Sequence, residues 1–296
     1  MSFSFEVKEE ICKIEEKDAS CRLAEFYGMI LFGQTVEPDF LKIATENVLV
    51  INRLHSHCAE IPGTFFKIEE TMNSYIAKMK DLSLRKLYDA FQMVDAPLEI
   101  NRKFLQNKAE FSAFLRGAIL SGGYFSAPQS GYHFELVTPY YSLAKSTLAV
   151  FNEYQIPCKM VVRRSNYVVY LKDSQQIYNL LYRSGARACA FDLMNIKIEK
   201  ETNNNNNRMD NCAAYNMDKT LNKAVEQIQA IERIEKSIGF ESLAADLQFV
   251  ARLRKDNPTD SLTILVEKSE GKISKPSISR KLNKIIEIAK NIKDIS

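Results

Sequence analysis

The chain has 296 residues, 46% of them apolar and 26% charged, and a formal net charge of +3. That length suits two ordinary domains, and that composition excludes a disordered chain. No apolar run approaches the roughly 20 residues that span a bilayer, and the opening MSFSFEVKEE sets acids where a secretory signal has a basic flank, so the chain reads as cytoplasmic.

In chain order, i, i+3, i+4 spacing predicts a helix over CRLAEFYGMILFG. Period-two alternation predicts a strand at LKIAT, and ENVLVINRLHSHCAEI reads as helix. The strands TFFKIEE and NSYIAKMK and the helix DLSLRKLYDAFQM follow. The same order then recurs as the helix EFSAFLRGAILSG, the strand YHFELVT, the helix YYSLAKSTLAVFNEYQ, the strands CKMVVR and NYVVYLKD, and the helix SQQIYNLLYRSG. Gly28 and Gly117 occupy matching places, and their separation is the repeat length. Residues 1–95 and 96–200 are therefore expected to be two αββαββα copies forming one α+β lobe.

The run Asn203–Asn207 disfavours helix and strand interiors, so a linker or loop is expected there. A long helix, NMDKTLNKAVEQIQAIERIEKSIG, completes residues 201–239. Residues 240–296 read as three helices. The first presents Leu243, Leu247, Val250 and Leu253 and breaks at Pro258. The second is capped by Ser261 and turns at EGKI, and Ser274 opens the third, KPSISRKLNKIIEIAKNI.

This last segment holds the whole charge surplus, eleven Lys and Arg against eight Asp and Glu, and residues 272–284 carry five bases and no acid. With Ile278 and Leu282 inward, the residues Ser274, Lys275, Ser277, Ser279, Arg280, Asn283 and Lys284 fall on outer or flanking faces. Such side chains reach phosphates and base edges, so double-stranded DNA is the expected partner. A solvated face of an ordinary three-helix bundle is the alternative reading.

The stretch FLRGAILSGG resembles the LAGLIDADG motif of homing endonucleases. Gly117 falls on the packing glycine, and Gly122 falls on the motif's last acid, which would bind a divalent metal. In the first copy, FYGMILFGQ, Gly28 and Gly33 take the same two places. With both acids lost, no catalytic residues, no cleavage and no metal are expected. In active relatives of that architecture a saddle of strands lies on DNA. Here Lys159, Arg163, Arg164, Tyr167 and Lys172 are candidate secondary contacts, although positive charge also guards sheet edges.

Other chemistry finds no support. Phosphate-binding, dinucleotide-binding and nucleophile-elbow motifs are absent, and no cofactor is expected. The six cysteines are scattered and read as free thiols. His55, His57 and Cys58 share a helical pattern but point different ways, which does not make a zinc set. His133 reads as a sheet residue, and the adjacent Glu69 and Glu70 point to opposite faces of a strand.

Two degenerate LAGLIDADG-like copies followed by a helix-turn-helix resemble the WhiA family of Gram-positive bacterial regulators. NYVVYLKDSQQI, NRMDNCAAYNMDKTLNKAVEQI and ARLRKDNPTDSL followed by ISKPSISRKLNKI carry the resemblance in the family's order. It implies a DNA-binding transcriptional regulator without nuclease activity, cytoplasmic and nucleoid-associated. It also implies a link to sporulation, cell division or chromosome segregation. The alternative is a protein-interaction module that binds a transcription or cell-division protein and holds DNA only weakly.

Overall fold

A computed structural model describes residues 2–93 and 98–292. The chain divides into two units, Met1–Glu201 and Thr202–Ser296. The boundary expected at residues 95 and 96 lies outside the described residues.

The first unit opens with α1 (Phe3–Cys12), which the sequence reading did not anticipate. The Ser2 hydroxyl accepts the Phe5 N–H at 3.3 Å, and Val7 and Ile11, one turn apart, are buried. The first repeat runs α2 (Ala19–Leu31), β1 (Thr35–Val36), β2 (Phe40–Thr45), α3 (Val48–Cys58), β3 (Lys67–Glu70), β4 (Tyr75–Lys80) and α4 (Asp81–Phe91). The second runs α5 (Lys108–Gly122), β5 (Gly123–Phe125), β6 (Phe134–Thr138), α6 (Tyr141–Glu153), β7 (Lys159–Arg163), β8 (Asn166–Leu171) and α7 (Ser174–Ser184). Both copies are αββαββα. Each builds a four-stranded antiparallel sheet, in the orders β1-β2-β4-β3 and β5-β6-β8-β7.

The helices α2 and α5 pack on each other at the centre of this unit. Every residue from Ala24 to Phe32 and from Glu110 to Leu120 is buried except Ser112. Helices that are apolar nearly all round belong inside a core. Their approach depends on two glycines. A Cβ at Gly117 would lie 1.9 Å from the Glu25 carbonyl oxygen, and one at Gly28 would lie 2.3 Å from the Phe114 carbonyl oxygen. Both obstacles are backbone, so no rotamer change can relieve them.

Beside this contact, Glu25 is completely buried. Arg53 on α3 donates to both its carboxylate oxygens, Nη2 to Oε2 at 2.9 Å. His57 Nε2 lies 3.1 Å from Oε1, and Arg116 Nε donates to Oε2 at 3.0 Å. Arg116 also reaches Glu16 at 2.5 Å, and Arg53 donates to the carbonyls of Cys12 and Ile14 at 3.2 and 2.7 Å. Burial alone would raise the Glu25 pKa. The hydrogen bonds from Arg53 and His57 more than offset it and hold the carboxyl at about 2.

The second unit takes in the latter part of α8 (Arg187–Ser237), a single helix of 51 residues, and then α9 (Ala245–Asp256), α10 (Leu262–Lys268) and α11 (Lys275–Asn291). The run Asn203–Asn207, expected as a loop, is helical and exposed within α8. Each Asn costs only up to about 0.7 kcal/mol relative to Ala. Nucleation is the expensive step, and a helix started elsewhere passes through such a run. Ala230, Ile231 and Ile234 of α8 join Leu247, Val250, Leu265, Ile278, Leu282 and Ile285 in a second core.

Two predictions follow from the α2–α5 contact and its charges. Gly117→Ala should cost about 3 kcal/mol or prevent folding, read by urea denaturation, because the new methyl meets immovable backbone. The depressed Glu25 pKa stabilises the fold above the ordinary carboxylate range, and that contribution is lost as pH falls from about 4.5 towards 2. Glu25→Gln should be destabilised by about 3 kcal/mol at pH 7 and should lose less stability than the parent between pH 5 and pH 3. Equal acid sensitivity in the two proteins would refute the assignment.

Candidate nucleic-acid interface

The helices α9, α10 and α11 present a helix-turn-helix, and the connection from α9 to α10 is fixed by a residue that carries no sequence pattern. Arg254, near the end of α9, is 1% exposed. Its Nη1 donates to the carbonyl oxygens of Asn257 and Asp260 at 3.1 and 2.7 Å, bracketing Pro258 and fixing where α10 begins. Burial pushes its pKa down and Asp260 opposes that shift. Ser261 caps α10 by accepting the Ile264 N–H at 3.4 Å. The turn to α11 carries two successive left-handed residues, Glu270 (φ 55°) and Gly271 (φ 72°).

The inner face of α11 is Ile278, Leu282, Ile285, Ile286 and Ala289, all buried. Ser274 stands at the N-cap, where its carbonyl accepts the Ile278 N–H at 2.9 Å and its hydroxyl makes no capping bond. Ser274, Lys275, Arg280, Asn283 and Lys284 are exposed, while Ser277 and Ser279 are half-buried. Helical spacing sets Arg280, Asn283 and Lys284 on one outward face with Ser277, sets Ser279 on its flank, and places Lys275 in the first turn on the side of α10, where it meets Thr263.

The cations of α11 and the preceding turn differ in what holds them. Lys272 pairs with Glu270 at 2.9 Å, Lys281 with Asp246 at 3.1 Å and Lys290 with Glu226 at 3.7 Å. Lys275 Nζ donates to Thr263 on α10 at 2.9 Å. Among the described residues, Arg280 and Lys284 have no acidic partner.

In the first unit the two motif positions are closed as well as uncharged. A Cβ at Gly122 would lie 2.9 Å from the Phe32 Cβ, and one at Gly33 would lie 3.1 Å from the Ile43 side chain. The residues present do not fit a divalent metal. Among the described residues no group of three His, Cys, Asp or Glu could hold one. His57 is committed to Glu25, and Cys58 lies buried against Thr64 at 3.3 Å.

The secondary candidates divide between two faces. Register pairs Lys159 with Tyr170, Val161 with Val168 and Arg163 with Asn166, so these residues share the face turned away from the helices. Arg164 (φ 48°) and Ser165 (φ 65°) form the tight hairpin tip. Lys172 lies 5.5 Å from the Tyr170 ring centroid. Tyr167 is on the opposite face, packed on the core, with its ring 5.3 Å from that of Tyr141 on α6. It is therefore separated from the four bases. Glu135 sits on their face, where Arg163 donates to it at 3.3 Å and His133 lies 3.0 Å away. Exposed Tyr124, Val137 and Val161 complete this face.

Sequence reading passed over a basic set on the other sheet. Lys42 and Lys78 are paired across β2 and β4, and Lys80 is paired with Phe40, all facing outward. Their alternation in LKIAT and YIAKMK was the available signal.

Residues 111–203 match the model of the WhiA LAGLIDADG-like domain, and residues 206–289 match that of the WhiA C-terminal HTH domain. The chain is 32% identical to the "Probable cell division protein WhiA" of Alkaliphilus metalliredigens (strain QYMF), over 98% of each chain. The chain belongs to the WhiA family. A Clostridium botulinum (strain Hall) WhiA is 31% identical over 99% of each chain. The crystal structure of full-length DUF199/WhiA from Thermatoga maritima matches with a TM-score of 0.59 and 25% identity, covering all of both chains. WhiA membership accounts for both units, and its HTH domain supports DNA binding. No helix among the described residues is long and apolar enough to cross a membrane.

Restoring the acids of the LAGLIDADG motif should not restore chemistry. The double variant Gly33→Asp, Gly122→Asp is expected to lose 1–3 kcal/mol of stability (roughly) by overpacking against Phe32 and Ile43 and to leave supercoiled plasmid intact in Mg²⁺. Metal-dependent nicking by a folded variant would show that only the carboxylates were missing.

Proposed function

We propose that this WhiA-family chain is a transcriptional regulator linked to cell division that reads double-stranded DNA through α11 and performs no nuclease chemistry. The observation that carries the proposal is the unpaired state of Arg280 and Lys284 on the outward face of α11, beside Asn283, while neighbouring bases are held by acids. A guanidinium free of intramolecular partners can donate two hydrogen bonds to guanine, and an Asn amide can pair with adenine. Ser274, Ser277 and Ser279 suit phosphate contacts, as does Lys275 if it leaves Thr263. A protein in this role is cytoplasmic and associated with the nucleoid.

A second reading concerns the first unit, which on this account tunes the DNA-binding unit. The outer face of the β5-β6-β8-β7 sheet mixes exposed Tyr124, Val137 and Val161 with Glu135, which already engages Arg163. A mixed face, with exposed apolar side chains and a carboxylate among Lys159, Arg163 and Lys172, suits a protein partner, such as a transcription or cell-division protein, as well as a phosphate backbone. On the other sheet Lys42 and Lys80 favour a secondary DNA contact, whereas Lys78 is held by Glu69 at 2.6 Å.

Gel-shift titration against genomic fragments at about 50 and 200 mM salt tests the first reading. Binding should fall steeply with salt. Arg280→Ala and Lys284→Ala should each weaken it about tenfold, the lysine change flattening the salt dependence by about one phosphate contact. DNA should stay intact with Mg²⁺. Undiminished binding by the double variant would sink the assignment to α11, and normal cell division with that variant would favour the protein-partner reading.

A further inference from the structure

A cleft of about 830 Å³ opens in the first unit between the start of α5, the segment after α6, α7 and the start of α8. Three cations line it from three elements: Lys108, Arg183 and Arg187. Its one carboxylate, Glu153, is already hydrogen-bonded to Arg102. Among the described residues, none of the three cations has an acidic partner.

The arginines are held without being neutralised. Arg183 Nη1 donates to the Tyr154 carbonyl at 2.6 Å, and its guanidinium lies 5.9 Å from the Phe111 ring centroid. Phe111 is itself stacked on Tyr154, with centroids 3.7 Å apart. The Arg187 guanidinium lies 5.3 Å from the Tyr182 ring centroid. Aromatic support orients a guanidinium while leaving its N–H groups free. Asn179 adds a neutral donor, since its Oδ1 accepts from Gln175 at 3.3 Å and its amide nitrogen stays open.

A concave site with three uncompensated cations, a neutral amide and mostly polar walls suits a compact, strongly anionic ligand. The volume lies in the range that holds small metabolites. We propose that this cleft binds a phosphorylated small molecule. The ligand is recognised through its phosphates by Lys108, Arg183 and Arg187, at a site separate from the α11 face. Guanidinium forks match phosphate oxygens in pairs, and the ammonium of Lys108 adds a point charge at the rim. A DNA-binding protein of the same chain would thereby carry a receptor for a metabolic signal.

The test uses the full-length chain with inorganic pyrophosphate as probe and sodium chloride of equal ionic strength as control. Pyrophosphate at millimolar concentration should raise Tm by about 3 °C or more over the control. The double variant Lys108→Gln, Arg187→Gln, whose changed residues are exposed, should fold with an unchanged circular dichroism spectrum. It should lose that shift and keep its affinity for duplex DNA. The variant Arg280→Ala, Lys284→Ala should keep the shift. Broadening of the pyrophosphate ³¹P resonance by the parent, and not by the cleft variant, gives a second readout. No shift over chloride would overturn the proposal, as would a shift that survives in the cleft variant. Loss of duplex affinity in the cleft variant would also overturn it, because the cleft would then be part of the DNA surface.

Discussion

The close approach of α2 and α5 at Gly28 and Gly117 is the constraint on which the first unit depends. Both glycines face the partner helix's backbone rather than its side chains. Helices brought that near leave little room between them for side chains, so the contact is built from small residues, main chain and whatever lies at its margins. The αββαββα copies are arranged around it, which is why the repeat length and the glycine spacing coincide. The two glycines serve packing, whatever stands at the motif's acid positions.

The margin of that contact explains the buried charges. Glu25 precedes Gly28 by three residues, and Arg116 immediately precedes Gly117. The helix crossing therefore brings a carboxylate and a guanidinium together from opposite repeats, and Arg53 and His57 of α3 enclose them. Removing one member of such a set strands the others in a low-dielectric interior, so the set persists as a unit. It also fixes α3 against the helix pair, since Arg53 reaches the chain between α1 and α2 through the carbonyls of Cys12 and Ile14. A charged group in this core thus orients three helices at once. An apolar replacement could fill the volume without specifying the arrangement.

Much of this was legible in the sequence because it follows from periodicity. The duplicated order, the sheet strands, the inner face of α11 and the Ser261 cap rest on spacings of 2 or 3.6 residues and on local capping chemistry. What escaped depends on context. The five asparagines are weak helix formers one by one, but α8 is nucleated elsewhere. Tyr167 sits in the run Tyr-Val-Val-Tyr, where consecutive apolar residues hide which face is which. Arg254 is one of several charges in ARLRKD, and its burial appears only once the turn it holds is formed. The short α1 buries only Ser4, Val7 and Ile11 in its ten residues, too brief a stripe for periodicity to show. At the candidate interface, composition pointed to α11. Only the fold could separate the cations already engaged, Lys272, Lys275, Lys281 and Lys290, from Arg280 and Lys284.

On the proposed function, a nearly neutral chain would meet a polyanion through these local charges. Affinity for DNA depends on the phosphates neutralised locally, not on net charge. A lysine already paired with Asp246 must break that pair before it gains a phosphate, and the exchange returns little. Arg280 and Lys284 make no such exchange, and the left-handed turn at Glu270 and Gly271 sets the α10–α11 corner while Arg254 holds the α9–α10 connection. Two free cations on a preorganised corner constitute a small electrostatic footprint. On the proposed function they favour a binder whose selectivity comes from the few groups on one helix face, with any further affinity supplied by another surface of the chain, such as Lys42 and Lys80 of the β2–β4 pair.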